Sequence, residues 1–173
     1  MNLDAVIRKV SDFPKAGVLF YDITSLFMNP EAMAFIAKKM LEAFEDTRID
    51  AVISIESRGF ILGGIFAKEK KVPLILARKK GKLPCATIEE SYDLEYGKAT
   101  LEIHAADISP GKQYVIVDDL IATGGTIRAV ANMVEKSGSE VAGIFAIISL
   151  PFLHYAEKIG KYRTIVLQEY HGE

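Results

Sequence analysis

The stretch Tyr114-Val115-Ile116-Val117-Asp118-Asp119-Leu120-Ile121-Ala122-Thr123-Gly124-Gly125-Thr126 decides the fold. It opens on an apolar, β-rich run too short for a helix, which reads as a buried strand of a parallel sheet. Two adjacent carboxylates stand where that strand ends. A turn of small residues follows, and then Ile127, Val130, Ala131 and Val134 recur at helical spacing. The order is strand, acidic pair, glycine turn, helix. In an open α/β sheet, ligands bind beyond the carboxyl ends of the strands. A glycine turn at a helix N-terminus offers an anion bare N–H groups and the positive end of the helix dipole. Thr123 and Thr126 add hydroxyl donors. Asp118 and Asp119, beside such a cradle, suit ribose hydroxyls or a hydrated Mg²⁺. Taken singly, Asp or Thr before a helix is an N-cap, and Gly-Gly a tight turn. In this order they point to a phosphate-bearing ligand. The chain has no G-x-x-x-x-G-K-[ST] and no G-x-G-x-x-G after a strand, so neither a P-loop NTPase nor a dinucleotide fold is supported.

Outward from this stretch, further strands and helices alternate. Ala51–Ile55 reads as a buried strand followed by a helix over 59–68. Val72–Ala77 reads as the next strand, with Pro73 near its start. Asn29-Pro30-Glu31 is a helix start, with a cap, a proline in the first position and an acid in the first turn. Met33, Ile36, Ala37, Met40, Leu41 and Phe44 then form an apolar stripe that reads as core. Leu3, Val6, Ile7 and Val10 predict a short helix over 2–10. Ile88 and Leu101–Ile103 flank a polar segment and predict a long hairpin standing off the core. Gly138 stops the helix that begins at Thr126, and strands follow over 141–149 and 163–167. Strands alternating with helices give a central, mostly parallel sheet flanked by helices, joined by right-handed crossovers. No repeat, low-complexity tract or linker interrupts residues 1–173, so one domain is expected.

Composition narrows the class. At 173 residues, half of them hydrophobic and a quarter charged, the chain suits a soluble globule with a substantial core. A net charge of −2 gives no footing for nucleic acid or an anionic membrane. Cys85 is the lone cysteine, which excludes an internal disulfide and fits a reducing compartment. Neither a secretory signal nor an apolar run of membrane-spanning length is visible, so a cytoplasmic protein is expected. His104, His154 and His171 lack ligand spacing, so no resident protein metal site is expected.

Val115–Thr126 resembles the phosphoribosyl-pyrophosphate (PRPP) signature of type I phosphoribosyltransferases. Further segments resemble the adenine phosphoribosyltransferase branch. They are Phe13-Pro14-Lys15-Ala16-Gly17-Val18-Leu19-Phe20-Tyr21-Asp22-Ile23-Thr24, Ile55-Glu56-Ser57-Arg58-Gly59-Phe60, Arg78-Lys79-Lys80-Gly81-Lys82-Leu83-Pro84 and Ser91-Tyr92-Asp93-Leu94-Glu95-Tyr96-Gly97-Lys98. The likeness runs from about Phe13 to Ser149. It implies the type I phosphoribosyltransferase fold, with a small N-terminal hood over about residues 1–25 and a flexible catalytic hairpin loop over about 80–100. The implied reaction is adenine plus PRPP giving AMP plus pyrophosphate, a step of purine salvage.

The same resemblance assigns roles. Ala122, Thr123, Gly124, Gly125 and Thr126 would hold the 5′-phosphate, and Asp118 and Asp119 the ribose. Glu56, Ser57, Arg58 and Gly59 would meet the pyrophosphate through backbone N–H groups, with Arg58 placed in the catalytic set. Arg78, Lys79 and Lys82 would form a basic clamp on the leaving group. Glu95 would handle the imidazole proton of the base, and Tyr96 would touch ribose or phosphate. Phe20 would stack on the base, and backbone groups of Val18, Leu19 and Phe20 would read its amino edge. Mg²⁺ would arrive with PRPP, and the enzyme would be a homodimer. Two departures stand out. Members usually carry arginine where this chain has Tyr21, and many carry Lys-Gly-Arg where it has Leu150–Tyr155. Both regions lie near the base pocket. Two other readings therefore stay open: a same-fold enzyme for hypoxanthine, guanine or xanthine, and a non-catalytic PRPP-sensing regulator. The latter would need an added DNA-binding segment for which the chain has no spare length.

Overall fold

The computed structural model describes residues 1–93 and 97–172. Its elements in chain order are β1 (Arg8–Ser11), β2 (Leu19–Asp22), α1 (Thr24–Phe27), α2 (Pro30–Ala43), β3 (Ala51–Ile55), α3 (Gly59–Lys70), β4 (Leu74–Lys79), β5 (Thr87–Asp93), β6 (Lys98–His104), β7 (Gln113–Val117), β8 (Leu120–Ile121), α4 (Gly125–Lys136), β9 (Glu140–Ser149), α5 (Ala156–Ile159) and β10 (Thr164–Glu169). The main sheet runs β10-β9-β7-β3-β4-β6-β5, with the short β8 beside β9. Strands β10, β9, β7, β3 and β4 are parallel, and β6 and β5 add an antiparallel edge.

The sheet is buried on both faces, which is why its central strands carry uninterrupted apolar runs. Along β7, Tyr114 and Ile116 enter one core with Val130 and Met133 of α4, while Val115 and Val117 enter another with Ile36, Met40, Leu62 and Phe66 of α2 and α3. Each fully buried Ile or Val there is worth roughly 1.5–3 kcal/mol relative to exposure. Helix α2 starts as its sequence dictates. The Asn29 side chain accepts from the Ala32 N–H at 3.0 Å, and Pro30 takes the first position, where no N–H is needed.

Two expectations change. Residues 2–10 are not a helix. The N–H groups of Val6 and Ile7 donate to the Leu3 carbonyl at 2.9 and 3.0 Å, and the chain then straightens into β1, which pairs antiparallel with β2. Leu3 and Ile7 are buried as their spacing suggested, but strand partners 8 to 14 residues away win over local helix propensity. The β5–β6 hairpin does not stand off the core. β6 pairs with β4, Ile88 and Tyr92 pack on the α4-side core, and Glu90 accepts from Asn132 and pairs with Lys136 of α4. Its polar sequence reflects an edge strand with one outward face.

Candidate active site

The carboxyl ends of β3, β7 and β9 deliver the functional segments to one end of the sheet. β3 and β7 are direct neighbours, with Ser54 opposite Val117, so the 56–59 turn and the 118–126 turn lie side by side. A Cβ at Gly59 would come within 3.1 Å of the Val117 carbonyl oxygen and 3.2 Å of Asp118 Oδ1. Only glycine lets α3 begin this close to the acidic pair. Arg58 Nε then lies 2.8 Å from Asp119 Oδ2. The Glu56–Ser57 peptide is cis.

Asp118 and Asp119 are both buried, and Asp118 Oδ1 accepts from the Asp119 N–H at 2.9 Å. Burial pushes the Asp118 carboxyl well above the usual carboxylate range, and the neighbouring Asp119 charge adds to the rise. A buried acid pair next to one arginine is short of positive charge, and a cationic or hydroxyl-rich ligand relieves that shortage.

After the acidic pair, Gly124 caps α4 in the left-handed region with φ +73°, and a Cβ there would lie 3.2 Å from both Cβ and the carbonyl oxygen of Tyr155. The turn therefore folds tightly against the segment leading to α5. Thr123 is exposed and Thr126 half-buried, and the first N–H groups of a helix such as α4 have no intrahelical partner, the arrangement that suits an anion. A cavity of about 240 Å³ lies over the turn, lined by Tyr92, Asp118, Thr123, Gly124 and Thr126 among others. A second cavity of about 670 Å³ opens beside it, bounded by Val18, Leu19 and Tyr21 of the hood, Ala122 and Thr123 of the turn, and Leu150, Phe152 and Leu153. The glycine turn at the start of α4 thus adjoins a larger cavity with a mainly apolar wall.

The β1–β2 ribbon shapes that wall. Leu19 and Tyr21 face the cavity while Phe20, between them in the strand alternation, meets Phe13 edge-on at 5.0 Å. Phe20 is not among the residues lining the cavity, and Lys15, Val18, Leu19 and Tyr21 form the hood side. Both backbone groups of Val18 already have partners, since its N–H donates to Lys15 and its carbonyl accepts from Phe13. Among the described residues β2 pairs only with β1, which leaves alternate backbone groups along its other edge without a strand partner there.

The basic segment is more divided than its composition suggests. Arg78 Nε donates to Glu56 Oε2 at 3.2 Å, its Nη1 donates to the Lys82 carbonyl, and the Lys79 N–H donates to the same Glu56 oxygen. The carboxylate of Glu56 and the guanidinium of Arg78 therefore brace the loop, while the Lys79 and Lys82 side chains are exposed. Glu102, which sequence reading missed, completes the brace. It is buried on β6 and accepts from the Lys82 and Leu83 N–H groups, both at 2.8 Å. Burial pushes its carboxyl up, but the N–H groups of Leu83, Lys82 and Gly81 outweigh this and hold it below its ordinary value. Lys15, Asp93, Lys158 and Gly172, also missed, line the larger cavity. No local pattern marks them, because the fold alone brings them together. Glu95 and Tyr96 lie outside the described residues.

A family model for the phosphoribosyl transferase domain matches residues 22–168. The adenine phosphoribosyltransferase of Treponema denticola is 48% identical over 171 residues, covering 99% of this chain and 90% of that one. Among solved structures, the adenine phosphoribosyltransferase of Thermoanaerobacter pseudethanolicus is similar with a TM-score of 0.92 at 39% identity, covering 96% of this chain and 97% of that one. That of Saccharomyces cerevisiae, complexed with an imino-altritol bisphosphate and adenine, is similar with a TM-score of 0.89 at 34% identity, covering 96% of each chain.

Proposed function

Since this chain belongs to the adenine phosphoribosyltransferase family, we propose that it transfers the 5-phosphoribosyl group of PRPP to adenine, giving AMP and pyrophosphate. The observation that carries this reading is the pairing of a glycine-turn phosphate cradle and buried acid pair with an apolar cavity large enough for a flat base. In the reaction the C1′–O bond to pyrophosphate breaks, the C1′–N9 bond forms, and the adenine imidazole proton leaves.

Thr123–Thr126 hold the 5′-phosphate through backbone N–H groups and hydroxyls. Asp118 and Asp119 hold the ribose hydroxyls and favour the positive charge that builds on the sugar. The N–H groups over 57–59 meet the leaving pyrophosphate, with Arg58, Lys79 and Lys82 adding positive charge, and Glu56, Arg78 and Glu102 setting where that charge stands. Glu95 takes or shares the adenine proton. The free edge of β2 offers adenine's amino edge a carbonyl acceptor and an N–H donor. Leu150 and Phe152 close the cavity and exclude the water that would hydrolyse PRPP.

Among the described residues, no group of three or more His, Cys, Asp or Glu is placed to hold a metal ion. Two carboxylates beside a pyrophosphate site suit Mg²⁺ that keeps most of its water and arrives on substrate oxygens. Asp118 and Asp119 would face it, and when bound it neutralises charge on the leaving group. The reading extends to a homodimer in the cytoplasm. No described helix is long and apolar enough to cross a membrane.

One assay tests the substrate. PRPP consumption is followed with adenine, hypoxanthine, guanine, xanthine and uracil side by side. An oxo group at C6 reverses the donor–acceptor pattern and leaves two buried groups mismatched, at about 1–3 kcal/mol each, so adenine should win by roughly tenfold to several-thousandfold in kcat/KM. A kcat/KM for hypoxanthine or guanine at or above that for adenine would reassign the base.

A further inference from the structure

Tyr21, in the wall of the larger cavity, does not stand alone. Its ring stacks on Tyr170 with centroids 3.8 Å apart and planes at 16°. Tyr170 follows β10, and its N–H donates to the Ser149 carbonyl at 3.1 Å, continuing the line of the sheet. Its hydroxyl donates to Asp4 Oδ1 at 2.6 Å. Lys9 Nζ lies 2.7 Å from that same Asp4 oxygen and 5.6 Å from the Tyr170 ring centroid. Two residues beyond Tyr170, Gly172 reaches the cavity.

We infer that Tyr170 is a specificity-determining positioning residue, whose ring holds Tyr21 flat in the outer wall of the base cavity and whose backbone carries Gly172 into that wall. This rests on the reading that the cavity takes the base. A wall tyrosine packed on one side only turns about two side-chain torsions, and a stacked partner removes that freedom before the base arrives. The hydroxyl bond to Asp4 fixes the second ring in turn. Burial and the adjacent Asp4 carboxylate hold the Tyr170 phenol in its protonated form, so it remains a donor. The charged members of this cluster, Asp4 and Lys9, are absent from the cavity lining, so the cluster meets the cavity through Tyr21, while Lys15, Asp93 and Lys158 line the same cavity. Tyr170 itself does not line the cavity, so its influence passes through Tyr21 and Gly172.

The effect belongs to the base and not to PRPP, and steady-state kinetics separate the two. Tyr170→Ala should raise the KM for adenine about tenfold or more while kcat and the KM for PRPP stay within about twofold. Tyr170→Phe, which keeps the ring, should restore the adenine KM to within about threefold of the parent. Thermal unfolding with saturating PRPP confirms an intact phosphate site in each variant. Should Tyr170→Ala fail to fold, Tyr170→Leu keeps bulk without a flat face and carries the same expectation. A parental adenine KM in the Ala or Leu variant, a parallel rise in the KM for PRPP, or no rescue by Phe overturns the inference. A parent enzyme inert toward adenine would instead overturn the proposed function.

Discussion

At the scale of single residues, Asp118 carries the sharpest conflict between stability and function. Its carboxyl is held above the ordinary range first by burial and then by Asp119. A carboxyl whose folded-state pKa is raised favours folding below its unfolded pKa, and that contribution is lost as pH rises through the folded value. Above the unfolded value the raised carboxyl therefore works against the fold, and Asp118→Asn should raise the unfolding midpoint near neutral pH. In a chain of this length about 1 kcal/mol moves the midpoint by about 2–4 °C, so a gain of a few degrees is expected at about pH 7–8, shrinking at about pH 4. Turnover should fall by about a hundredfold or more, because stabilisation of the ribose charge is lost. Calorimetric scans across pH check the first part and initial rates the second. A lower midpoint near neutrality would mean that Arg58 and the backbone already compensate the buried charge. Asp118 was legible in sequence because adjacent acids at a strand end are rare without a purpose. The second role of Glu56 was not, since its partner Arg78 is 22 residues away and reached only through the neighbouring strand.

At the scale of elements, the turn into α4 and the end of the same helix make a matched pair. Gly124 and Gly138 both have positive φ, at +73° and +77°. An alanine in that region costs about 1–2 kcal/mol at either position. A Cβ at Gly124 would also press on Tyr155, whereas one at Gly138 would meet only the Pro110 side chain at an ordinary 3.6 Å. Both alanine variants should lose several degrees of thermal stability, as expected from about 2–4 °C per kcal/mol. Gly124→Ala alone should raise the KM for PRPP, by about tenfold if the first α4 N–H groups are displaced. An equal rise in Gly138→Ala would show that helix stability, not turn geometry, governs the phosphate site. Elements such as α4 and β7 were readable because burial writes its period directly into the sequence. β1 was not: its residues are mostly exposed, and the apolar residues before it mimic a helical face. Its strand form depends on β2, a partner that no local pattern names.

At the scale of the whole molecule, parallel order brings segments around positions 57, 79, 120 and 150 towards one end of the sheet, and the β1–β2 ribbon adds the segment around 18. Motif and strand-end position made the proposed PRPP half of the site legible as turns that follow buried strands. The larger cavity, the proposed base half, is lined by residues of the N-terminal segment, the segment after β9 and the residues beyond β10. Their contacts span most of the chain, as with Asp4 and Tyr170, 166 positions apart. Sequence reading located Tyr21 and Leu150–Tyr155 as departures but had no means of pairing Tyr21 with Tyr170. Which face of a short edge strand looks inward depends on what covers it, so sequence alone did not separate Phe20, packed edge-on against Phe13, from the cavity-lining Leu19 and Tyr21.

The raised Asp118 carboxyl also makes ligand capture an acid–base reaction. A sugar hydroxyl donor or a hydrated cation prefers the carboxylate, so binding draws off whatever proton the resting protein still holds there, and the surrounding buffer absorbs it. The measured heat of PRPP–Mg²⁺ binding should then change linearly with the buffer's ionisation enthalpy, in the sense of proton release, and affinity should strengthen as pH rises. Asp118→Asn should flatten that line. A flat line for the parent would mean that the acid pair is already fully ionised before its ligand comes.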